Sequence, residues 1–204
     1  FANPLVSADI LGVAAGAGFG ASIGILLFGN GYVTQIFALI FGLAAIAFTY
    51  IIGGVGKNLP IYMLVLAGVV TSALFNALIS LTKFLADPEE KLPSITYWLM
   101  GSLGTATYRD LWTAGPIILI GIIILMAVRW RINLLTLPDD EAKSLGINVT
   151  NLKWLVITGA TLCTAAAVAI AGIVGWVGLI IPHVARMLVG NNNERVLPVS
   201  LALG

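Results

Sequence analysis

An all-α bundle of membrane-spanning helices is the fold class this sequence predicts, and three observations predict it. Hydrophobic residues fill 59% of the 204 positions, and mean hydropathy is +1.04. Asp, Glu, Lys and Arg together make up 9%, far below the ~25% of a soluble domain, so no water-facing surface can be built from them. The charges are also clustered. They leave gaps of 47 residues between Asp9 and Lys57, 25 between Lys57 and Lys83, 18 between Asp110 and Arg129, and 32 between Lys153 and Arg186. A bilayer core takes about 20 apolar residues in helix, and the backbone there must pair its own N–H and C=O groups.

The first gap exceeds one crossing, and Gly29-Asn30-Gly31 inside it is a turn signal, so it divides into helices of about 9–28 and 34–52. Lys57 and Pro60 mark a loop, and 61–82 crosses again. Residues 83–110 form a longer polar stretch that contains a short apolar run, Ile95 to Gly101. That run is too short to cross and reads as an interfacial helix, with Tyr97 and Trp98 at headgroup level. A span over 111–128 and a polar loop over 129–153 follow.

The last gap is again longer than one helix, yet no polar turn interrupts it. Gly172, Gly175 and Gly178, then Pro182, do. The expectation is a span at about 154–172, a glycine break, and a short helix over about 177–189 that returns partway through the membrane. A broken helix is tolerated at depth only under protein or beside a water-filled cavity, so this break is a candidate for lining a pathway. The sequence reads as a single transmembrane domain over 1–204, incomplete because it starts at Phe1 without a methionine and stops inside an apolar run that begins near Val196.

If the helices alternate in direction, Lys57, Arg129, Arg131, Lys143, Lys153, Arg186 and Arg195 fall on one side, and Lys83, Lys91 and Arg109 on the other. Lys and Arg accumulate on the cytoplasmic side, which puts the 129–153 loop in the cytoplasm and the 83–110 stretch outside. Gly12, Gly16, Gly20 and Gly24 recur every fourth residue and line one helix face, a stripe that lets backbones approach closely.

Enzyme chemistry finds little support. His183 is the one histidine, and no second His, Cys or carboxylate stands near it at ligand spacing, so no metal site is expected. Cys163, the one cysteine, lies in an apolar run and reads as a small buried side chain. No Gly-Lys-Ser or Gly-Lys-Thr phosphate loop occurs, so ATP hydrolysis would have to come from another subunit. No basic stripe with interleaved aromatics points to nucleic acid. The spans carry no charged residue at mid-depth, where ion-coupled carriers usually show one. The most unusual polar feature is the loop from Leu137 to Asn148. There Asp139, Asp140 and Glu141 suit the first turn of a helix and Gly146 its end, and a second short helix could follow from Asn151. Such a pair offers a knob to a soluble partner; the same spacing also fits an ordinary solvated loop.

Five segments carry a family resemblance. They are Asn3-Pro4-Leu5 with Leu11 to Ala17; Leu66-Ala67-Gly68-Val69; Trp98-Leu99-Met100-Gly101-Ser102; Glu141 to Gly146; and Gly175-Trp176-Val177-Gly178-Leu179-Ile180-Ile181-Pro182-His183-Val184-Ala185-Arg186. In this order they resemble the FecCD-type permeases of ATP-binding-cassette importers, a family that takes up iron-siderophores, haem, vitamin B12 and molybdate. The resemblance implies part of a ten-helix permease of the type II importer kind in the inner (plasma) membrane, surrounded by lipid and paired as a homodimer with its pathway at the interface. It implies a short outer helix at about 94–103 and no cofactor in this chain. It further implies a cytoplasmic ATPase that binds ATP and Mg, and a periplasmic or lipoprotein substrate-binding protein. The 138–152 loop would be the pair of coupling helices, with Asp139, Asp140, Glu141, Ala142, Leu145 and Gly146 meeting the ATPase. Pro138 stands where a glycine is common in the family, Glu141 where a small residue is common, and Pro60-Ile61 where hydroxyl residues are common. A ferric siderophore or related iron complex is the cargo expected first, with cobalamin, haem, molybdate or tungstate as alternatives. An ion-coupled carrier or channel is the rival of a different class, and a membrane enzyme a distant third.

Overall fold

The computed structural model describes residues 8–29, 31–54, 61–137, 139–144, 146, 148–175 and 177–204. Expectations for Asn3-Pro4-Leu5, Asn30, Lys57, Pro60, Pro138, Leu145 and Trp176 lie outside the described residues. Every regular element among the described residues is a helix, and the fold is an all-α polytopic bundle. In order come a 3-10 turn Ala8–Leu11, α1 (Val13–Leu27), α2 (Gly31–Gly53), α3 (Ile61–Leu85), α4 (Lys91–Met100) and a 3-10 turn Leu103–Thr105. They are followed by α5 (Tyr108–Ile132), a 3-10 turn Asn133–Thr136, α6 (Asp139–Ser144), α7 (Val149–Ala171), α8 (Val177–Val189) and α9 (Asn193–Leu203).

Among the described residues, α2, α3, α5 and α7 are long and apolar enough to cross a membrane. A rise of 1.5 Å per residue carries each past the ~30 Å hydrocarbon core. Several run beyond the apolar stretches that mark them in the sequence. The first turn of α5 holds Asp110 and its last turn Arg129 and Arg131, charges of the sign that the helix dipole favours at each end.

Two expectations change. The first span, expected over 9–28, is broken at Gly12 into the 3-10 turn and the 15-residue α1. The short helix expected from Asn151 is not separate. Asn148 Oδ1 accepts from the Asn151 N–H at 3.1 Å and caps the first turn, and α7 runs unbroken from Val149 to Ala171. Nothing in that stretch stops a helix, and Lys153 stands only one turn from its start.

The chain forms two compact units. The larger takes residues 8–119 and 161–174, and the smaller the described residues of 120–160 and 175–204. In the larger unit α1 lies at the centre, packed on α2, α3 and α4. From Val13 to Ile25 nearly every residue of α1 is buried, as expected of a helix that is apolar all round. Ala14, Ala17 and Ala21 form a core with Ala38 of α2 and Val168 and Ala169 of α7. On the other side of α1, Phe19 meets Phe41 edge-on at 5.2 Å between ring centroids and Phe75 at 5.7 Å. The glycine stripe sets the α1–α2 distance. A Cβ on Gly16 would stand 2.5 Å from Ala45 Cβ and 2.6 Å from the Phe41 carbonyl oxygen. One on Gly20 would run into the Phe37 carbonyl, one on Gly24 would come 2.9 Å from Thr34 Cα, and Gly12 faces Thr71 of α3. In the smaller unit α8 packs on α9, and α6 on the 3-10 turn Asn133–Thr136.

A leucine at Gly20 has to push α2 away. Gly20→Leu is expected to lower stability by ~3 kcal/mol or more, beyond usual overpacking because the obstacle is backbone. Gly31→Ala, whose Cβ would meet nothing within 4 Å, should stay within ~0.5 kcal/mol. Unfolding of the two purified variants in detergent checks the contrast.

Candidate functional site

The helix break forms where the sequence places it. α7 ends at Ala171, residues 172–175 are non-helical, and α8 begins at Val177. Its four candidate residues divide between the units. Gly172 belongs to the larger one, where it meets the end of α4; Gly175, Gly178 and Pro182 belong to the smaller.

At the end of α4, Gly101 and Gly172 both have left-handed backbones, φ +70 in each case. They are also back to back. A Cβ on Gly172 would strike the Trp98 carbonyl oxygen and come 2.9 Å from Gly101 Cα, and one on Gly101 would lie 2.6 Å from the Ile173 carbonyl oxygen. Close approach lets the Ser102 N–H donate to the Ala171 carbonyl at 2.7 Å, so an acceptor freed by the end of α7 is paired from α4. The break is thus covered by protein on this side. Gly175 and Gly178 have open space around them. Pro182 lies inside α8 and, lacking an N–H, withholds the bond that the Gly178 carbonyl would receive in a regular helix.

One end of the larger unit is polar. Gln35 Nε2 donates to Asp110 Oδ1 at 2.6 Å, tying α2 to α5. Asp110 Oδ2 accepts from the Thr107 N–H at 2.8 Å and the Thr107 hydroxyl at 2.7 Å, while the Asp110 N–H faces Thr107 Oγ1 at 3.4 Å. This is a reciprocal cap on α5 with Asp in the place usually held by Glu or Gln. Beside it lies a cavity of about 380 Å³ lined in part by Gln35, Glu90, Lys91, Ser94 and Asp110. A second cavity of about 320 Å³ shares Gln35 but is otherwise mostly apolar, with Ile36, Leu39 and Ile117 on its wall. At this end the Arg109 guanidinium lies 5.3 Å from the Tyr32 ring centroid.

In the smaller unit the acidic loop contains α6. Ala142 is buried to 1% exposure, Glu141 is exposed, and the Ser144 hydroxyl donates to the Glu141 carbonyl at 2.7 Å. Six residues are too few to hold a helix in water by themselves, so Ala142 and the contact with Asn133–Thr136 hold α6 in place. Gly146 follows, exposed, with φ +75. The side chains of Asp139 and Asp140, like Leu145, lie outside what is described. His183 is exposed on α8. Among the described residues, no three His, Cys, Asp or Glu side chains stand close enough to hold a metal ion.

Sequence reading missed the Gln35–Asp110 pair and a buried threonine node. The Thr49 hydroxyl lies 2.9 Å from the Leu11 carbonyl oxygen and 3.0 Å from Thr71 Oγ1, with Thr71 bonded back to the Ala67 carbonyl at 2.9 Å. Both threonines are 0% exposed. A threonine in an apolar run ordinarily bonds its own helix, so only the position of Thr49, opposite the non-helical Leu11–Gly12 step, could have singled it out.

Compared with known proteins, the whole chain, residues 1–204, matches the model of the FecCD transport family. It is 41% identical to the molybdate import system permease protein MolB of Haemophilus influenzae, over 100% of this chain and 60% of that protein. It is 38% identical to a probable iron chelatin transport system permease protein of Helicobacter pylori, over 100% of this chain and 61% of that one. With the cobalamin import system permease protein BtuC of Halobacterium salinarum the identity is 35%, over 100% and 55%. Among solved structures, an inward-facing conformation of an ABC transporter of the metal-chelate type superposes with a TM-score of 0.92 at 42% identity, covering 98% of this chain and 64% of that one. The chain therefore spans about three fifths of the length of the relatives it matches.

Gly172→Ala combines left-handed strain, ~1–3 kcal/mol, with a collision against backbone. It is expected to lower stability by at least ~2 kcal/mol, whereas Gly175→Ala, with open space and an ordinary φ, changes it by under ~0.5 kcal/mol. Thermal unfolding of both variants in detergent measures the difference.

Proposed function

The chain belongs to the FecCD transport family, and from that premise we propose that it is part of a permease subunit in an ATP-driven importer of metal complexes. The observation that carries this reading is the match of the family along all 204 residues, joined to a TM-score of 0.92 with a metal-chelate type transporter. Hydrolysis of ATP, with its Mg, falls to a separate cytoplasmic ATPase. A binding protein brings the cargo from outside, and two permease subunits form the pathway between them.

In this proposal the polar end of the larger unit, with Asp110, Glu90 and Lys91, faces outward, and α6 faces the cytoplasm. The lysine and arginine distribution supports that orientation. Glu141, exposed on a helix that Ala142 anchors, gives the ATPase a raised acidic contact together with Asp139, Asp140, Leu145 and Gly146. An ATPase can shift the permease between its states only by touching them differently, which a short helix gripped from below allows. The glycine break at Gly172, Gly175, Gly178 and Pro182 is proposed as pathway wall. Residues 172–175 supply non-helical backbone where a pathway needs it.

For the cargo, a ferric chelate is the first reading, supported by the iron chelatin relative at 38% identity. Molybdate is the second, favoured by the 41% identity to MolB. Affinity of the cognate binding protein for ferric chelates, molybdate, tungstate, haem and cobalamin decides between them.

Gly146→Asp places a negative charge just past the C-terminal end of α6, against the dipole, and within the proposed docking set. The full-length variant is expected to insert normally and to lose ATP-dependent uptake in vesicles; normal uptake would remove the docking assignment. Orientation has its own check. With native cysteines replaced, a membrane-impermeant maleimide applied to right-side-out vesicles should label Glu89→Cys and leave Glu141→Cys untouched until the membrane is opened.

A further inference from the structure

We infer that Asn133 is a positioning residue that links the segment carrying α6 to the turn between α8 and α9, so that motion of one is passed to the other. The inference rests on the proposal that α6 docks an ATPase, and it concerns residues outside that docking set. Asn133 opens the 3-10 turn Asn133–Thr136, directly after α5 and directly before α6, and α6 packs on that turn. Its side chain reaches a segment some sixty residues away in two directions at once. Asn133 Nδ2 donates to Asn192 Oδ1 at 2.7 Å, and Asn133 Oδ1 accepts from the Asn193 N–H at 2.9 Å. Asn192 Oδ1 also accepts from the Glu194 N–H at 3.0 Å, which makes it the N-cap of α9.

One amide therefore closes a bidentate clamp onto the cap of another helix. A single hydrogen bond fixes a distance and leaves rotation free, whereas two bonds through one planar group fix orientation as well. The contact of α6 with the turn Asn133–Thr136 is packing, which tolerates sliding more than a two-bond clamp does. The clamp also grips at a point that matters for the helices beyond it. Gly190, with φ +79, ends α8, and Asn192 starts α9, so a pull on this turn acts on the ends of both at once. α8 and α9 pack on each other and respond as a pair. Proximity alone does not establish coupling, so the test reads the ATP spent per cargo imported.

The full-length permease is reconstituted in proteoliposomes with its ATPase and binding protein, as wild type, Asn133→Ala, Asn133→Asp, Asn192→Asp and the double variant Asn133→Ala/Asn192→Asp. ATP hydrolysis, uptake and co-purification of the ATPase are measured at equal permease abundance. Asn192→Asp keeps an acceptor for both the Asn133 amide and the Glu194 N–H and should behave as wild type. Asn133→Ala should still co-purify with the ATPase and hydrolyse ATP, but spend about fivefold or more ATP per cargo imported, the lower end of ordinary coupling strengths. Asn133→Asp loses the donor and keeps the acceptor for Asn193, so it should fall between the two and serves if the alanine variant folds poorly. The double variant should be no worse than Asn133→Ala, because the clamp is already gone. An unchanged ATP-to-cargo ratio in Asn133→Ala and Asn133→Asp overturns the inference, as does loss of ATPase co-purification, which would assign Asn133 to folding or docking. Failure of the docking proposal shows separately, as normal uptake by Gly146→Asp.

Discussion

Inside a hydrocarbon layer every backbone N–H and C=O must find its partner within the protein, and the architecture follows from how this chain meets that requirement. Long helices meet it along α2, α3, α5 and α7. The harder cases are the places where helix stops. At the end of α7 the chain turns through left-handed Gly172, and the Ser102 N–H, delivered by the equally left-handed Gly101, pairs the Ala171 carbonyl. At the Leu11–Gly12 step, before α1, the Thr49 hydroxyl stands against the Leu11 carbonyl. A side chain or a neighbouring turn has been brought to each gap, and the residues that do so are small because they must come close.

Small residues also explain how the larger unit is held together. Lipid tails are as apolar as leucine, so helices gain little by hiding leucine from lipid and much by fitting closely. Gly16, Gly20 and Gly24 bring α1 against the α2 backbone, while Ala14, Ala17 and Ala21 pack with Ala38 of α2 and with Val168 and Ala169 of α7. Larger apolar side chains such as Ile40, Leu66 and Leu81 are left exposed, where lipid receives them. Among the described residues the buried polar side chains, Thr49 with Thr71 included, are neutral hydroxyls.

The spans were legible in the sequence because charge spacing alone separates lipid from water, and the break at 172–175 was legible because glycines punctuate a run that nothing polar interrupts. The every-fourth-residue glycines pointed to a close contact, though not to its partner. What stayed hidden are polar pairs far apart in the chain. Gln35 with Asp110 is separated by 75 residues and Asn133 with Asn192 by 59. No local period announces either, since each depends on which helix ends the fold collects together. The start of α7 was misplaced for a different reason. Lys153 reads as the edge of a span, yet a charge one turn inside a helix end costs little, and the cap at Asn148 lies upstream of it. For the acidic loop, residue types alone fit a solvated turn equally well, and the burial of Ala142 is a tertiary fact that no pattern contains.

The sheathing of α1 bears on how the protein is made. Eight of its fifteen residues are glycine or alanine, and a helix of that length falls short of the ~30 Å hydrocarbon core. Among the described residues the cover over α1 comes mainly from α2 and α3, which follow it in the chain. The faces that they cover are therefore enclosed only once synthesis has passed Leu85, so close packing here is completed by helices made after the one they sheathe.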